Sequence, residues 1–228
     1  MALGRASGRR SVSLEEGAGP SAQRCPACGE PLFAWVETEG WGPREDQIID
    51  RCENCGLTVD RNAAPGDLDA AEELFGAAGA TNGNAAGVMD GVVVRAPNSV
   101  SFQAWLGAEN WAALRPGDRS LKPSPRSAEL LAARRGLRVT KVRFLAAAGM
   151  ASMWQTLLNL LTFHRDFASQ ATSGNLRPGH GKGLAAYVID VIVTVLAAVP
   201  TAIIAVVLEG AAVLARRGGV IEISAEPS

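Results

Sequence analysis

The four cysteines of the chain stand in two matching pairs, and thiolates are strong ligands for metal ions. Each pair reads Cys-x-x-Cys-Gly, and 23 residues separate the pairs, with the candidate ligands at Cys25, Cys28, Cys52 and Cys55. Zinc binds four ligands as a tetrahedron, and two thiolates on one tight turn occupy one side while a second turn supplies the other two. Because four thiolates leave no open position for water or substrate, the pattern predicts a structural zinc ion.

Two other uses of paired cysteines have to be weighed. Two disulfides would need an oxidising compartment, and a redox Cys-x-x-Cys normally opens a helix within a βαβ unit. Residues 1–22 contain Arg, Ser and Gly but no apolar block of a secretory signal. We therefore expect a cytoplasmic chain that begins with a disordered tail over residues 1–22, and a cytoplasmic setting favours zinc over disulfides.

Short apolar runs lie between the two cysteine pairs. Leu32–Val36 and Gln47–Asp50 are short enough to be strands, with Glu39–Pro43 as the turn. Residues 23–62 therefore resemble a zinc ribbon, whose short sequence has too little core to fold without metal. The loops of this segment disfavour nucleic-acid binding because they carry acidic side chains where phosphate contacts would be needed, at Glu37, Glu39, Glu45 and Asp46.

Charge is nearly balanced over the chain but unevenly distributed. The 22 Lys and Arg against 23 Asp and Glu create no overall field that would recruit nucleic acid or an acidic substrate. Residues 37–73 hold eleven acidic and three basic residues, whereas residues 115–143 hold nine basic and two acidic ones. The basic stretch could meet phosphate head groups, although a solvated face is the simpler interpretation.

The middle of the chain alternates between a linker and regular elements. Residues 63–90 are predicted to be a linker with a short helix at Asp67–Phe75, and their glycines match neither a dinucleotide fingerprint nor a phosphate-binding loop. Gly91–Asn98 is predicted to be a buried strand, and Ser127–Arg135 a helix that Gly136 ends before a strand from Leu137.

These elements carry a family resemblance. Four short motifs resemble the second half of class I S-adenosylmethionine-dependent methyltransferases, in the branch with a cysteine-rich module in front: Pro97-Asn98, Gly107 to Trp111, Pro125 to Ser127 and Gly136-Leu137. The resemblance covers about residues 88–145 and the final strand, and it implies a partial α/β sheet over residues 91–145.

The same resemblance implies where a cofactor would bind. The part of the family pattern that forms this cofactor site is missing from the sequence. The family holds S-adenosylmethionine on the first half of its sheet, through an acidic residue and a glycine-rich turn, then a second acidic residue. The 32 residues between Cys55 and Val88 are too few for those strands and crossover helices. We therefore assign no cofactor-binding residue and expect no catalysis by this chain alone. The alternative is a methyltransferase whose cofactor site is degenerate or is completed by a partner chain.

Two histidines are the remaining candidates for chemistry. Ser152, Asp166 and Asp190 could lie near His164 or His180, but no spacing indicates a triad. His180 stands in a glycine-rich stretch typical of a flexible loop, and His164 is most simply a residue at a helix end. We therefore predict no catalytic residue.

The C-terminal part, residues 150–217, is predicted to form hydrophobic helices. Ser152–Phe163 places its apolar residues on one side, typical of a core-packing face, with Ser152 as the N-cap. Residues 191–208, VIVTVLAAVPTAIIAVVL, contain no charge, and the stretch is long enough to cross about 30 Å of hydrocarbon, with a kink expected at Pro200. Its polar and small residues share one stripe suited to close helix packing: Asp190, Thr194, Ala197, Ala198, Thr201, Ala205, Glu209 and Ala212.

Two interpretations of that long stretch are open. It could be a core helix beneath the sheet that leads into a last strand at Gly219–Ile223, or a membrane helix, either spanning or lying in plane; its apolar content favours the membrane. The chain is thus predicted to have an α+β fold, with a zinc-ribbon module, a partial α/β sheet, hydrophobic helices, and a final strand and tail over 218–228. We expect a non-catalytic zinc-binding or scaffolding protein on the cytoplasmic side of a membrane, with a protein partner or a second copy.

Overall fold

The computed structural model describes residues 20–38, 47–61, 70–76, 91–115, 120–174, 176 and 182–228. These ranges form a mixed α+β fold, as predicted, with two antiparallel sheets and six α-helices. Residues 1–19 of the predicted tail, the predicted turn at 39–43, most of the predicted linker and His180 lie outside the described residues.

The first sheet contains the segment predicted to be a zinc ribbon, hereafter the ribbon. Its antiparallel order is β1-β2-β3-β4-β6, with the strands at Pro20–Arg24, Pro31–Thr38, Gln47–Arg51, Thr58–Asp60 and Leu121–Lys122. The two predicted ribbon strands are confirmed as β2 and β3. The sheet begins at Pro20, inside the stretch predicted as tail, and β6 reaches it from a distant part of the chain.

The second sheet has three strands in the order β5-β8-β7, and β8 runs antiparallel to both neighbours. These strands are β5 (Val92–Pro97), β7 (Leu137–Phe144) and β8 (Val220–Pro227). The predicted strands at residues 91–98 and from Leu137 are confirmed, and the final strand extends beyond Ile223 to Pro227. Alternate residues of β8 are fully buried, at Ile221, Ile223 and Ala225.

Two short helices and one longer helix lie between these strands in the sequence. They are α1 (Ala70–Phe75), α2 (Phe102–Gly107, continued by a 3-10 turn at Ala108–Asn110) and α3 (Pro125–Arg134). The predicted helix at 127–135 is confirmed as α3, which starts two residues earlier because Ser124 caps it in a reciprocal capping box with a proline at the start. Gly136, at φ +65°, ends it as expected.

The C-terminal helices are α4 (Ala146–Leu161), α5 (Phe167–Thr172) and α6 (Leu184–Leu214). The predicted N-cap at Ser152 is wrong, because α4 already begins at Ala146 and Ser152 lies inside it. The helix α6 continues through Pro200 over its 31 residues.

One hydrophobic core joins the ribbon to the second sheet. Its buried side chains come from the cysteine turns, the ribbon, α1, α3 and β8, including Cys25, Leu32, Cys52, Cys55, Leu57, Leu74, Leu121, Leu131, Ile221 and Ile223. A smaller cluster connects the ribbon to the segment after α2, where the rings of Trp35 and Trp111 meet edge to face, 6.3 Å apart. The ribbon therefore folds against the rest of the chain.

Candidate metal centre and exposed helix

The two cysteine turns have the same backbone geometry. In the first, the Gly29 N–H donates to the Cys25 carbonyl at 2.8 Å, and in the second the Gly56 N–H donates to the Cys52 carbonyl at 2.8 Å. Both glycines have positive φ, +80° and +74°, a conformation that costs a residue with a side chain more than it costs glycine. The repeated Cys-x-x-Cys-Gly motif therefore specifies two matching turns whose thiols converge.

The four sulfur atoms form a compact cluster. Cys25 Sγ lies 3.5 Å from Cys55 Sγ, Cys28 Sγ lies 3.5 Å from Cys52 Sγ, and all four atoms lie within 4.8 Å of one another. A tetrahedral zinc ion with Zn–S bonds of about 2.3 Å would set sulfur atoms about 3.8 Å apart. All four cysteines are free thiols. The predicted ligands are thus brought together in an arrangement that fits zinc.

Burial and close contact between the sulfur atoms shift the pKa values of three of the four cysteines. Burial raises the pKa of Cys52, and the hydrogen bond with Cys25 together with burial raises the pKa of Cys55. The same hydrogen bond, from the Cys55 thiol, lowers the pKa of Cys25 to about 5. Without a metal the cluster therefore favours a thiolate at Cys25 stabilised by a neutral neighbour. Zinc would hold all four thiolates and cross-link the two turns.

The second cysteine turn is fixed to the body of the protein by two serines that sequence reasoning missed. Ser124 Oγ donates to the Cys55 carbonyl at 2.5 Å, and Ser99 Oγ donates to the Gly56 carbonyl at 2.5 Å. A Cβ added at Gly56 would lie 2.6 Å from Val100 Cγ1, so glycine also permits this close approach. The N-cap signal of α3 could have identified Ser124, but no local signal marks Ser99.

A groove of about 630 Å³ runs beside the second cysteine turn. The guanidinium of Arg51 lies 5.2 Å from the centre of the Trp35 ring, and Arg126, near the start of α3, also lines the groove. Glu53 adds an acidic group. The groove combines an aromatic ring with charges of both signs.

The structure brings His164 and Asp190 together, a proximity that the sequence allowed without indicating it. His164 Nδ1 lies 2.8 Å from Asp190 Oδ2, and the Asp190 carboxylate also accepts from the backbone N–H groups of Phe163 at 2.7 Å and His164 at 2.9 Å. The other ring nitrogen, Nε2, accepts from the Lys182 N–H at 3.4 Å. Both ring nitrogens of His164 are therefore engaged. The His164–Asp190 pair holds the end of α4 against α6.

The other candidates for a triad lie elsewhere. Ser152 stands inside α4, about three helical turns before His164. Asp166 bonds to Asn159 instead, with 3.2 Å between its Oδ1 and the Asn159 Nδ2 and 2.9 Å between its backbone N and the Asn159 Oδ1. No catalytic constellation forms among these described residues.

The helix α6 presents an apolar surface outward. Its two charged residues, Asp190 and Glu209, are both fully buried, whereas Val195 is 70 % exposed and Leu196 is 71 % exposed. All the exposed residues of α6 are apolar, at positions 184, 185, 188, 189, 191, 192, 195, 196, 199, 200, 203, 204, 206, 207, 211 and 214. Within the described residues, α6 is the one helix long and apolar enough to cross a membrane.

The predicted stripe of small and polar residues packs against the chain's own helix α4. Thr201, Ala205 and Ala212 are buried there, and Trp154 Nε1 of α4 donates to the Ala198 carbonyl at 2.9 Å. The stripe therefore faces α4 rather than a sheet. A core helix would be buried on its bulky apolar side, which in α6 is exposed.

Glu209 fixes the C-terminal half of α6 to the body. Its Oε2 accepts from Gln103 Nε2 at 2.6 Å, and its Oε1 accepts from the Gly219 N–H at 2.8 Å. A Cβ added at Gly149 would overlap this carboxylate, so the absence of a side chain there allows α4 and α6 to meet.

Comparisons with protein-family models, with curated proteins and with solved structures found no match. The resemblance to methyltransferases thus has no support beyond the sequence motifs, and S-adenosylmethionine has none.

Proposed function

We propose that this chain is a zinc-stabilised, non-catalytic binding or scaffolding protein that associates with a membrane through the exposed side of α6. The arrangement of α6 carries the proposal. A surface helix of a water-soluble protein turns its charged residues outward and its apolar residues inward. In α6 both charged residues are buried and the exposed residues are apolar. This reversed arrangement fits contact with lipid.

A lipid surface fits this side of α6 better than a second protein does. Helices that associate in membranes meet through small residues, and the small residues of α6 already face α4. Protein interfaces carry about one hydrogen bond per 100–200 Å². The exposed side chains of α6 offer no polar atom to make one, since all are aliphatic.

We place the protein on the cytoplasmic side of the membrane. A centre of four thiolates persists in a reducing compartment, which supports a cytoplasmic location. Lys182 precedes α6 and Arg216 and Arg217 follow it, and cationic side chains of this kind favour an anionic leaflet.

We assign the zinc centre a structural role rather than a catalytic one. Four thiolates close the coordination shell, so the ion would stabilise the shared core rather than bind substrate. Since His164 has both ring nitrogens engaged, it offers no free general base. A protein partner is a further part of the proposal, and the groove beside the second cysteine turn is the surface that we expect it to use.

Vesicle flotation tests the membrane association. Purified zinc-loaded protein is mixed with vesicles of neutral and anionic phospholipids and centrifuged through a density gradient. We expect the protein to float with the vesicles, and Val195→Asp to reduce the bound fraction strongly because a charge would enter the apolar side. Val93→Asp is the matched control, because Val93 is 44 % exposed on β5, away from α6. Equal flotation of both variants would contradict the assigned surface.

The methyltransferase alternative rests only on the motifs between residues 88 and 145 and the final strand. Calorimetric titration of the chain with S-adenosylmethionine tests it. Binding in the micromolar range would favour the enzyme, whereas no heat of binding fits a non-catalytic protein.

A further inference from the structure

The N-terminal end of α6 is held against the polar body of the protein. Asp190 accepts hydrogen bonds from the backbone of Phe163 and His164 and lies against the His164 ring. The neighbouring Arg165 is buried, and its guanidinium donates to the carbonyls of Glu109 and Leu114. This end of the helix is therefore tied to the segment that follows α2.

The C-terminal end of α6 is held by the same body. Glu209 bonds to Gln103 of α2 and to the Gly219 N–H just before β8. Just beyond the helix, the Phe102 N–H donates to the Arg217 carbonyl at 3.0 Å. The helix therefore does not extend away from the body at either end.

The middle of α6 has the body beside it as well. Here α4 lies between α6 and the segment that follows α2. On the α6 side, Trp154 Nε1 donates to the Ala198 carbonyl. On the other side, Thr156 Oγ1 accepts from the Ala112 N–H at 3.1 Å. Between these segments, Trp111 is fully buried and packs on Trp35 of the zinc ribbon. The order of layers is thus α6, α4, the segment around Trp111, and the ribbon.

This layering decides how α6 can meet a bilayer, given the membrane association proposed above. If α6 crossed the membrane, the layers beside its midpoint would enter the hydrocarbon, including the ribbon with its Asp50–Arg61 ion pair. Charged groups and irregular backbone facing lipid are strongly disfavoured there. A helix of 31 residues is also about 46 Å long, well beyond a hydrocarbon core of about 30 Å.

We propose that α6 lies in the plane of the membrane surface, with its exposed side in one leaflet and the zinc-ribbon body in the water above it. The residues assigned to the leaflet are Val188, Ile192, Val195, Leu196, Val199, Ile203, Val206 and Val207. Lys182 and the Arg216-Arg217 pair then stand at the two ends of this apolar side, at the level of the phospholipid head groups.

Protease accessibility in sealed vesicles tests this orientation. Two variants of the full chain are made, one with a specific-protease site inserted after Ser173, which is exposed beyond α5, and one with the site added after Ser228. Each is synthesised in a cell-free system with sealed vesicles of neutral and anionic phospholipids, and the vesicles are recovered by flotation. Detergent-treated vesicles provide the value for complete cleavage.

The in-plane orientation predicts that both sites are cut in intact vesicles as completely as in detergent. Protection of the C-terminal site would show that α6 alone spans, and protection of the site after Ser173 would show that α4 and α6 span as a hairpin. Either result would overturn the inference while leaving the membrane association intact. A chain that does not float would instead overturn the membrane association itself, and the orientation with it.

Discussion

Replacing one thiolate, Cys55→Ala, is expected to remove the zinc ion and with it the stability of the shared core. Cys55 is 3 % exposed, and its sulfur lies in the compact cluster of four. The hydrogen bond from Ser124 goes to the backbone carbonyl of Cys55, which the substitution retains. The variant therefore tests the metal while it leaves the contact between the cysteine turn and α3 in place.

The size of the loss in unfolding free energy distinguishes a metal centre from a cluster of four buried thiols without metal. Truncating a small buried side chain to alanine leaves a small cavity, which would cost about 1 kcal/mol. A structural zinc ion contributes about 10–16 kcal/mol in zinc-finger peptides, comparable with the whole stability of about 5–15 kcal/mol for a typical domain. Because the cysteine turns share their core with Leu131, Ile221 and Ile223, loss of zinc should unfold this core as well as the ribbon.

Zinc content and thermal unfolding, followed by circular dichroism, measure the effect. The unsubstituted protein should hold one zinc ion per chain, and a strong chelator should lower its unfolding temperature to that of Cys55→Ala. Asn54→Ala is the matched control, because Asn54 is an exposed residue of the same turn and not a ligand; its stability should change by no more than about 0.5 kcal/mol. A loss of only about 1 kcal/mol in Cys55→Ala, with no zinc in the unsubstituted protein, would refute the reasoning.

Three further substitutions and one matched control test the contacts that hold α6 and the second cysteine turn, each by chemical unfolding. Gly149→Ala should destabilise by about 1–3 kcal/mol because the new Cβ overlaps the Glu209 carboxylate. The matched Gly210→Ala, which meets nothing within 4 Å, should stabilise by about 0.5–1 kcal/mol; equal effects would contradict the packing. Asp190→Ala should cost about 3–5 kcal/mol since it leaves the hydrogen-bond donors at the end of α4 unpaired, and a change below about 1 kcal/mol would contradict that role. Ser124→Ala should cost about 1–2 kcal/mol through the lost cap of α3, and no loss would mean that the cap contributes little.

The elements that the sequence predicted correctly are those with strong local signals. The Cys-x-x-Cys-Gly motif specifies the turn and its ligands over five residues, and α3 has a cap, a proline and a terminal glycine within thirteen residues. Apolar runs between turn residues identified β2, β3, β5 and β7. In each case the information lies within the element or next to it.

The start of α4 was missed for a related reason. Ala146 follows Leu145, whose side chain makes no capping hydrogen bond, so no residue marks the true beginning. Ser152, further along the chain, is a common capping residue, so the sequence predicts the start of the helix there. Inside the helix, the Ser152 carbonyl instead accepts from the Thr156 hydroxyl at 2.8 Å.

The contacts that define the candidate site could not be predicted because they join distant parts of the chain. Ser99 and Ser124 reach the second cysteine turn across 43 and 69 positions of sequence. For α6, the stripe of small residues indicates close packing on that side of the helix, but it does not identify α4 as the element that packs there. The structure packs the stripe on α4 and leaves the bulky side exposed, an arrangement that hydropathy alone does not distinguish.

Membrane depth along α6 tests the central claim most directly. A genetically encoded nitroxide side chain, which leaves the zinc thiolates untouched, is placed in turn at Ile192, Val199 and Val206 of the vesicle-bound protein. Its relative accessibility to oxygen and to a water-soluble relaxation agent gives the depth of each position. A helix in the plane of the membrane predicts one similar depth, about 5–10 Å below the head groups, at all three positions. Water-exposed labels at all three, or a deep label at Val199 between shallow neighbours, would contradict it.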